Sequence, residues 1–478
     1  MHIYTAIQNK YVDPQLYTRD VYFNIFSNNY QNVANIIIAA LIILFEDINF
    51  VYLLVNLALF MIFWFGNYLL AKKAFRSDLA GVIFSVICSY GIKLPYGSYW
   101  GIILGVVETR DFFIAFIPLI FLLLLKVKDK PHKTSIVFLM IGVLSNIHMI
   151  SGLSFFAVLL FSLFLYKHDL QSMRWYFFYS LIFLICFSPT LLQGIQIEDV
   201  TPPLHIMEFR IASQYQIPLM YFFLSLCIPL ILTLFFYSFL KNKIPTPLNF
   251  FNIAAIIFFN VSLITSLTNT FLAPFQFVRA LNLLVPVLYL GCTYIILRFF
   301  KSRNLVKHLI GISLIVLLTL PPNYFISRSC CIKDIDLRIY VDKDLELSAS
   351  ILTRSYRTES IIEVSDWMMQ ETNKGALFSI NPYFASVFRA IGKRGIVLSF
   401  KDGGNLILAR NKHLNRWYTE IKRASSLYLS NSTPDFIDYA RDKQSEYVVI
   451  ERKYNHLDLP IVFINDDFII YDVQQYLN

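Results

Sequence analysis

The sequence predicts an α-helical polytopic membrane core of about 9–11 membrane segments, broken helices included, followed by a small C-terminal α/β domain. Three observations predict it. Of 478 residues, 56% are hydrophobic, 17% aromatic and 15% charged, against about 25% charged in an ordinary soluble domain, and the mean hydropathy is +0.56. Several apolar runs approach the roughly 20 residues that cross a bilayer core. After Pro321-Pro322 the composition changes: from Tyr324 to Asn478 there are 20 Lys/Arg and 20 Asp/Glu.

In chain order, Val33–Phe45 is apolar but short for a ~30 Å core, and reads as an amphipathic or partly inserted surface helix. The spanning candidates are Val51–Phe65 with its flanks, Phe112–Leu125, Trp175–Leu192, Leu219–Leu240, Phe250–Leu267, Leu281–Phe300 and Leu305–Leu320. Leu79–Ile92 and the two halves of Ser135–Tyr166 read as broken or re-entrant helices. The boundaries that follow are a membrane domain at 1–324, with an outer first loop at 1–32, and an extracytoplasmic domain at 325–478.

The net charge of +9 belongs to the membrane part, which holds 21 basic and 12 acidic residues. It sets orientation and argues against nucleic acid as a partner. Fifteen of those basic residues fall in alternate loops, from Lys72 and Lys73 to Arg298, Lys301, Arg303 and Lys307, which marks those loops as cytoplasmic. The acidic loops, with Asp13, Asp20, Glu46, Asp47, Glu108, Asp111, Glu198, Asp199 and Glu208, then face outward with the C-terminal domain. On this counting residues 1–32 are also outside, so either the sequence lacks an upstream first helix, the preferred reading, or Val33–Phe45 spans after all and the N-terminus is cytoplasmic.

The C-terminal part alternates helix and strand signals. Helices are expected at Ser360–Glu371, Tyr383–Ile391 and Asn415–Leu427, with another opened by Thr433 as N-cap and Pro434 at the first helical position. Strands are expected at Ala376–Ile380, Gly395–Phe400, Tyr447–Glu451, Ile461–Ile464 and Phe468–Tyr471, the last two as a hairpin. Lys401-Asp402-Gly403-Gly404 reads as a turn, with a phosphate cradle as the rival reading. Cys88, Cys186, Cys227 and Cys292 read as packing residues, and the adjacent Cys330 and Cys331 do not suit a relaxed disulfide with each other. No Cys/His spacing supports a metal site.

"DPQLYTRDVYF", beginning at Asp13, resembles the first extracytoplasmic loop of bacterial GT-C-like membrane proteins, in which D-P-x-L-Y-x-x-D follows the first transmembrane helix. "TRDFFIAFIPLIFLLLL" (Thr109–Leu125), "GVLSNIHMISGL" (Gly142–Leu153) and "FQFVRALNLLVPV" (Phe275–Val287) agree in order. "FRAIGKRGIVLSFKDGG" and "YVVIERK" are similar to an extracytoplasmic domain of unknown function that follows such cores. The resemblance implies a multi-pass protein of the bacterial inner membrane that moves a sugar from a polyprenyl-phosphate donor to an acceptor on the outer face. It also implies an acidic residue of the first outer loop as base or metal ligand, which leaves room for a divalent cation.

Sugar transfer needs a carboxylate for the acceptor proton and cations for the phosphate leaving group. Asp20 is the expected base, beside Tyr17, Tyr22 and Phe23 as a sugar platform, with a helix cap as the plainer role. Asp13 is a second candidate, although Asp-Pro is also a helix-capping pair. Arg110, His148 and Arg279 are expected to hold the carrier phosphate. Glu108 reads as a substrate-site acid or simply the partner of Arg110, and Asp111 as the cap of the following helix. For His148 the plainer role is a bond to the backbone exposed at a helix break, and for Arg279 it is snorkelling. Two rival functions remain: a non-catalytic scaffold whose outer domain binds a glycan or protein, and a transporter, which should show internal repeats. No repeat is evident.

Overall fold

The computed structural model describes residues 2–29, 32–89, 92–94, 99–102, 107–194, 202–210, 219–268, 277–319, 358–408, 411–430, 432–452 and 457–477. Pro321-Pro322, Cys330, Cys331, Glu198 and Asp199 lie outside them. The chain opens with α1 (His2–Val12), α2 (Val21–Asn29), α3 (Val33–Phe45), α4 (Ile48–Phe75) and α5 (Asp78–Cys88). A short antiparallel ladder, β1 (Ile92–Lys93) with β2 (Tyr99–Trp100), precedes α6 (Thr109–Val127), α7 (Pro131–Ser145), α8 (Met149–Tyr166) and α9 (Leu170–Gly194). Then come α10 (Leu204–Arg210), α11 (Leu219–Leu240), α12 (Thr246–Thr268), a 3-10 segment Phe277–Leu284 running into α13 (Val285–Phe300), and α14 (Leu305–Thr319). The last part holds α15 (Thr358–Glu371), β3 (Leu377–Ile380), α16 (Ala385–Gly392), β4 (Gly395–Ile396), α17 (Phe400–Leu408), α18 (Leu414–Ser430), α19 (Thr433–Lys443), β5 (Tyr447–Glu451), β6 (Ile461–Ile464) and β7 (Phe468–Asp472).

These elements form two compact units. One comprises Met1–Glu46, Gln193–Gln216 and Asp336–Asn478; the other, Asp47–Leu192 and Ile217–Ile335. The expected boundary at 324/325 therefore groups the chain differently from the structure: the first loop belongs with the C-terminal domain, because its side chains are bonded into that domain's core.

In the helical unit, four helices among the described residues are long and apolar enough to cross a membrane: Ile48–Phe75, Met149–Tyr166, Thr246–Thr265 and Phe277–Phe300. Asp78–Cys88, Pro131–Ser145 and Leu305–Thr319 are shorter apolar helices, which at 1.5 Å per residue reach less than a ~30 Å core. Ser135–Tyr166 breaks at Asn146–His148, as its polar residues imply. Asn146 fastens the break to α9: its Nδ2 donates to the Cys186 carbonyl at 2.8 Å and its Oδ1 accepts from Thr190 N–H and Oγ1 at 3.1 and 2.9 Å. Gly152 lets the reversal close, since a Cβ there would stand 2.0 Å from Ser145 Oγ. Of the cysteines, Cys88 is buried, Cys186 and Cys292 half-buried, and Cys227 exposed, so packing accounts for the first better than the last.

The α/β unit carries a five-stranded mixed sheet in the order β4-β3-β5-β7-β6. β3 pairs in parallel with β4 and β5, β5 is antiparallel to β7, and β7 to β6. Every residue of β3 is buried, which suits a strand covered on both faces. Phe378, Ile380, Phe388, Ile396, Val449, Phe468 and Ile470 form the core. α3 buries Ala34, Asn35, Ile38, Ala39 and Ile42, one stripe at helical spacing, and Gln8 on α1 donates to buried Asn35 at 3.0 Å.

Three expectations fail here for identifiable reasons. Gly395–Phe400 is a strand only over Gly395–Ile396, and the expected turn at Lys401–Gly404 is helical, within α17. Ser399 and Asp402 form a reciprocal cap, with Ser399 N–H donating to Asp402 Oδ2 at 3.0 Å and Lys401 N–H to Ser399 Oγ at 3.1 Å. Gly403 is required by packing: a Cβ there would stand 2.2 Å from the Trp417 ring. The cap of α19 is Ser432, one residue before the expected Thr433, accepting from Asp435 N–H.

Candidate functional site

The helical unit brings Arg110, His148 and Arg279 to one cleft. It measures about 430 Å³ including the part open to solvent, and Phe113, Ile117 and Ser151 also line it. The first turns of α6 and α8 contribute, so two helix N-termini meet the cleft with their positive ends.

Glu108 is the N-cap of α6 and Asp111 is its third helical residue, accepting from Glu108 N–H at 2.9 Å. The expectation that Asp111 caps the helix is thus off by three residues, because the two acids form a capping box in which the second reaches back. Glu108 also receives Arg110, with Nε at 2.8 Å and Nη2 at 2.7 Å from Oε2. That pairing fixes the orientation of a guanidinium that lines the cleft.

His148 is the N-cap of α8, its Nδ1 accepting from Ser151 N–H at 3.2 Å. The local backbone bond expected of a histidine at a helix break is present, and it has a chemical consequence. A lone pair on Nδ1 places the proton of the neutral imidazole on Nε2, leaving a donor on the far edge of the ring. Arg279 sits in the 3-10 segment before α13. The cleft therefore combines two guanidiniums, an imidazole N–H and two helix N-termini with an apolar floor, a donor set suited to an anionic headgroup on a lipid chain.

Asp13 and Asp20 belong to the other unit. Asp20 caps α2, its Oδ1 accepting from Phe23 N–H at 3.1 Å, but it is fully buried. Arg389 donates to it through Nε at 2.7 Å and Nη2 at 3.1 Å, and to Asp402 through Nη1 at 2.8 Å and Nη2 at 3.0 Å. Ile396 N–H donates to Asp20 Oδ2 at 3.1 Å. A carboxylate so engaged offers no face to a substrate. The cap was legible in the sequence; its enclosure was not, since Arg389 and Asp402 lie hundreds of residues away.

One guanidinium between two carboxylates leaves a buried excess of negative charge. Burial pushes the Asp20 carboxyl up, to about 6, against the pull of Arg389 and with Asp402 adding to the rise. The expected sugar platform is likewise absent as drawn: Tyr17 and Phe23 are fully buried and pack edge to face at 4.9 Å. Tyr17 takes φ 63°, a left-handed backbone that costs a non-glycine residue energy, while its hydroxyl donates to the Arg389 carbonyl at 3.0 Å.

Asp13 closes α1 instead of opening a helix. Its N–H donates to Asn9 O at 2.8 Å, its Oδ1 accepts from Gln15 N–H, and its Oδ2 pairs with Lys374 at 2.6 Å. That hydrogen bond from Lys374 holds the Asp13 carboxyl below the usual range. Arg19 pairs with Glu446 and donates to the Gln444 carbonyl. The "DPQLYTRD" segment is thus a peg in the α/β unit. Among the described residues no group of three or more His, Cys, Asp or Glu gathers as metal ligands would.

No protein family matches the chain, and no curated protein matches it. Among solved structures, it is similar to the crystal structure of the Archaeoglobus fulgidus oligosaccharyltransferase tethered with an acceptor peptide containing the NVT sequon via a disulfide bond. Identity is 12% and the TM-score 0.46, over 94% of this chain and 64% of that one. The chain spans less than two thirds of the length of that protein.

Proposed function

We propose that the chain is a GT-C-like membrane glycosyltransferase that transfers a sugar from a polyprenyl-phosphate donor to a nucleophilic group of an acceptor on the outer face, the polyprenyl phosphate leaving, and that the cationic cleft receives the donor's phosphate. The observation that carries this reading is convergence: Arg110, His148 and Arg279, far apart in sequence, line one cleft with an apolar floor. Arg110 and Arg279 neutralise the phosphate as the glycosyl–oxygen bond breaks, and His148 Nε2–H supplies a neutral donor. The asymmetry of basic loops supports a position for this cleft on the outer face of a plasma membrane. Asp20 is committed to Arg389, so the reading rests on the leaving-group side and not on a first-loop base.

The test is binding of a polyprenyl phosphate to the full chain in mixed micelles. Charge-assisted contacts are worth about 1.5–3 kcal/mol each, so Arg110→Ala with Arg279→Ala should weaken binding by roughly 10²-fold or more. Unchanged affinity in the double variant removes the proposal. The burial of Asp20 favours one other reading, a scaffold that binds a lipid-linked glycan without transferring it. That reading predicts binding with no release of free polyprenyl phosphate.

A further inference from the structure

The α/β unit holds a second cleft, about 510 Å³ including its open part, lined by Arg19, Tyr22, His413, Arg416, Glu420 and Lys443 among others. Of its lining, the sequence singles out only Tyr22, as part of a sugar platform, and Arg19, as a partner for the loop acids. Its walls follow from helical spacing. His413, Arg416 and Glu420 stand at i, i+3 and i+7 at the start of α18, and Tyr439 and Lys443 at i, i+4 on α19, so each set shares one face. The floor is apolar, from Leu377, Val397 and Leu398.

Three details say what this cleft is built to take. Glu420 gives Oε1 to Lys443, but its Oε2 is buried without a hydrogen-bond partner, a costly state that a hydroxyl donor would relieve. Tyr22 is largely buried, with the charge of Glu420 facing it. Arg416 is exposed and forms no ion pair among the described residues. Of the lining cations, Arg19 is paired with Glu446 and Lys443 with Glu420 and Asp442, so Arg416 is the one that offers its charge to a ligand, and an anion is favoured beside it over an ammonium group.

We propose that this cleft binds a sugar bearing one anionic group, the ring hydroxyls donating to Glu420 Oε2 and meeting the Tyr22 hydroxyl, and the anion pairing with Arg416. Leu377 and Leu398 receive the apolar face of the ring. The anion is a carboxylate or a phosphate, chemistries that a uronic acid and a sugar phosphate supply respectively. This site belongs to a different unit from the cationic cleft and stands whether or not that cleft holds a carrier lipid.

The experiment is calorimetric titration of the full-length chain in detergent with glucuronate, glucose 6-phosphate, glucose and inorganic phosphate. The expected result is that one or both anionic sugars bind about tenfold or more tightly than glucose and than phosphate. Binding of only one of them supports the site and identifies the anion. Arg416→Ala, at an exposed position, and Glu420→Gln, which keeps the shape, should each reduce that affinity about tenfold while the circular dichroism spectrum is unchanged. Glucose or phosphate binding as well as the anionic sugars overturns the proposal, as does the absence of any binding. So does full affinity in both variants.

Discussion

Replacing Arg389 and Asp20 in turn separates the two halves of the buried triad. Arg389→Met leaves Asp20 and Asp402, both essentially unexposed, without their cation. Removing one member of a buried ion pair costs about 3–5 kcal/mol, and here two carboxylates are stranded, so that range is a floor. Asp20→Asn is milder because it leaves one carboxylate against one guanidinium, although its amide nitrogen faces the Arg389 donors. It also removes a titration. The folded-state value of about 6 lies above the ordinary 3.8, so the folded chain binds this proton more tightly than the unfolded one. The resulting stabilisation is complete below about pH 4, declines as pH rises to about 6, and is gone above it; its ceiling is about 3 kcal/mol. Hydrogen exchange of the Phe23 and Ile396 amides, both bonded to Asp20, reads this directly between pH 4.5 and 7.5 after correction for intrinsic exchange. Native chain should lose protection with rising pH, whereas Asp20→Asn should not. Native-like pH dependence in Asp20→Asn, or native stability in Arg389→Met, would refute the assignment.

Other expectations follow from the same geometry. Gly403→Ala drives a methyl into the Trp417 ring and should cost about 1–3 kcal/mol, seen as a lower thermal midpoint of the α/β unit with the fold retained. Gly152→Ala sets a Cβ against Ser145, which should shift His148 and weaken polyprenyl-phosphate binding without touching either arginine. The Asp13–Lys374 contact works in the opposite pH sense to Asp20. Its depressed carboxyl contributes above the unfolded value and is lost as pH falls below about 4, so Lys374→Ala should flatten only the acid limb of the stability profile.

Local periodicity made much of this chain legible. Val33–Phe45, Leu219–Leu240, Tyr447–Glu451 and Ile461–Ile464 appear with the bounds the sequence predicts, because apolar spacing and turn residues act within one element. Arg110, His148 and Arg279 stood out for a related reason: a charged or polar group beside an apolar helix is conspicuous wherever it occurs. That they line one cleft was not legible, since nothing local records which helix ends meet. Asp20 shows the opposite outcome. Its sequence context marked it as exceptional, and it is, but as the anchor of a buried Asp–Arg–Asp cluster whose other members lie 369 residues away and beyond. Glu420 and Arg416 left no signal at all, being ordinary charges on an amphipathic helix. Composition and hydropathy by themselves determined a membrane-type helical core and a C-terminal α/β segment, because burial of apolar surface depends on residue type and spacing. Which carboxylate is enclosed, which is left with an unpaired oxygen, and which cations share a cleft were decided only by tertiary packing, because hydrogen bonds and charge pairs act over a few ångströms of space irrespective of separation along the chain.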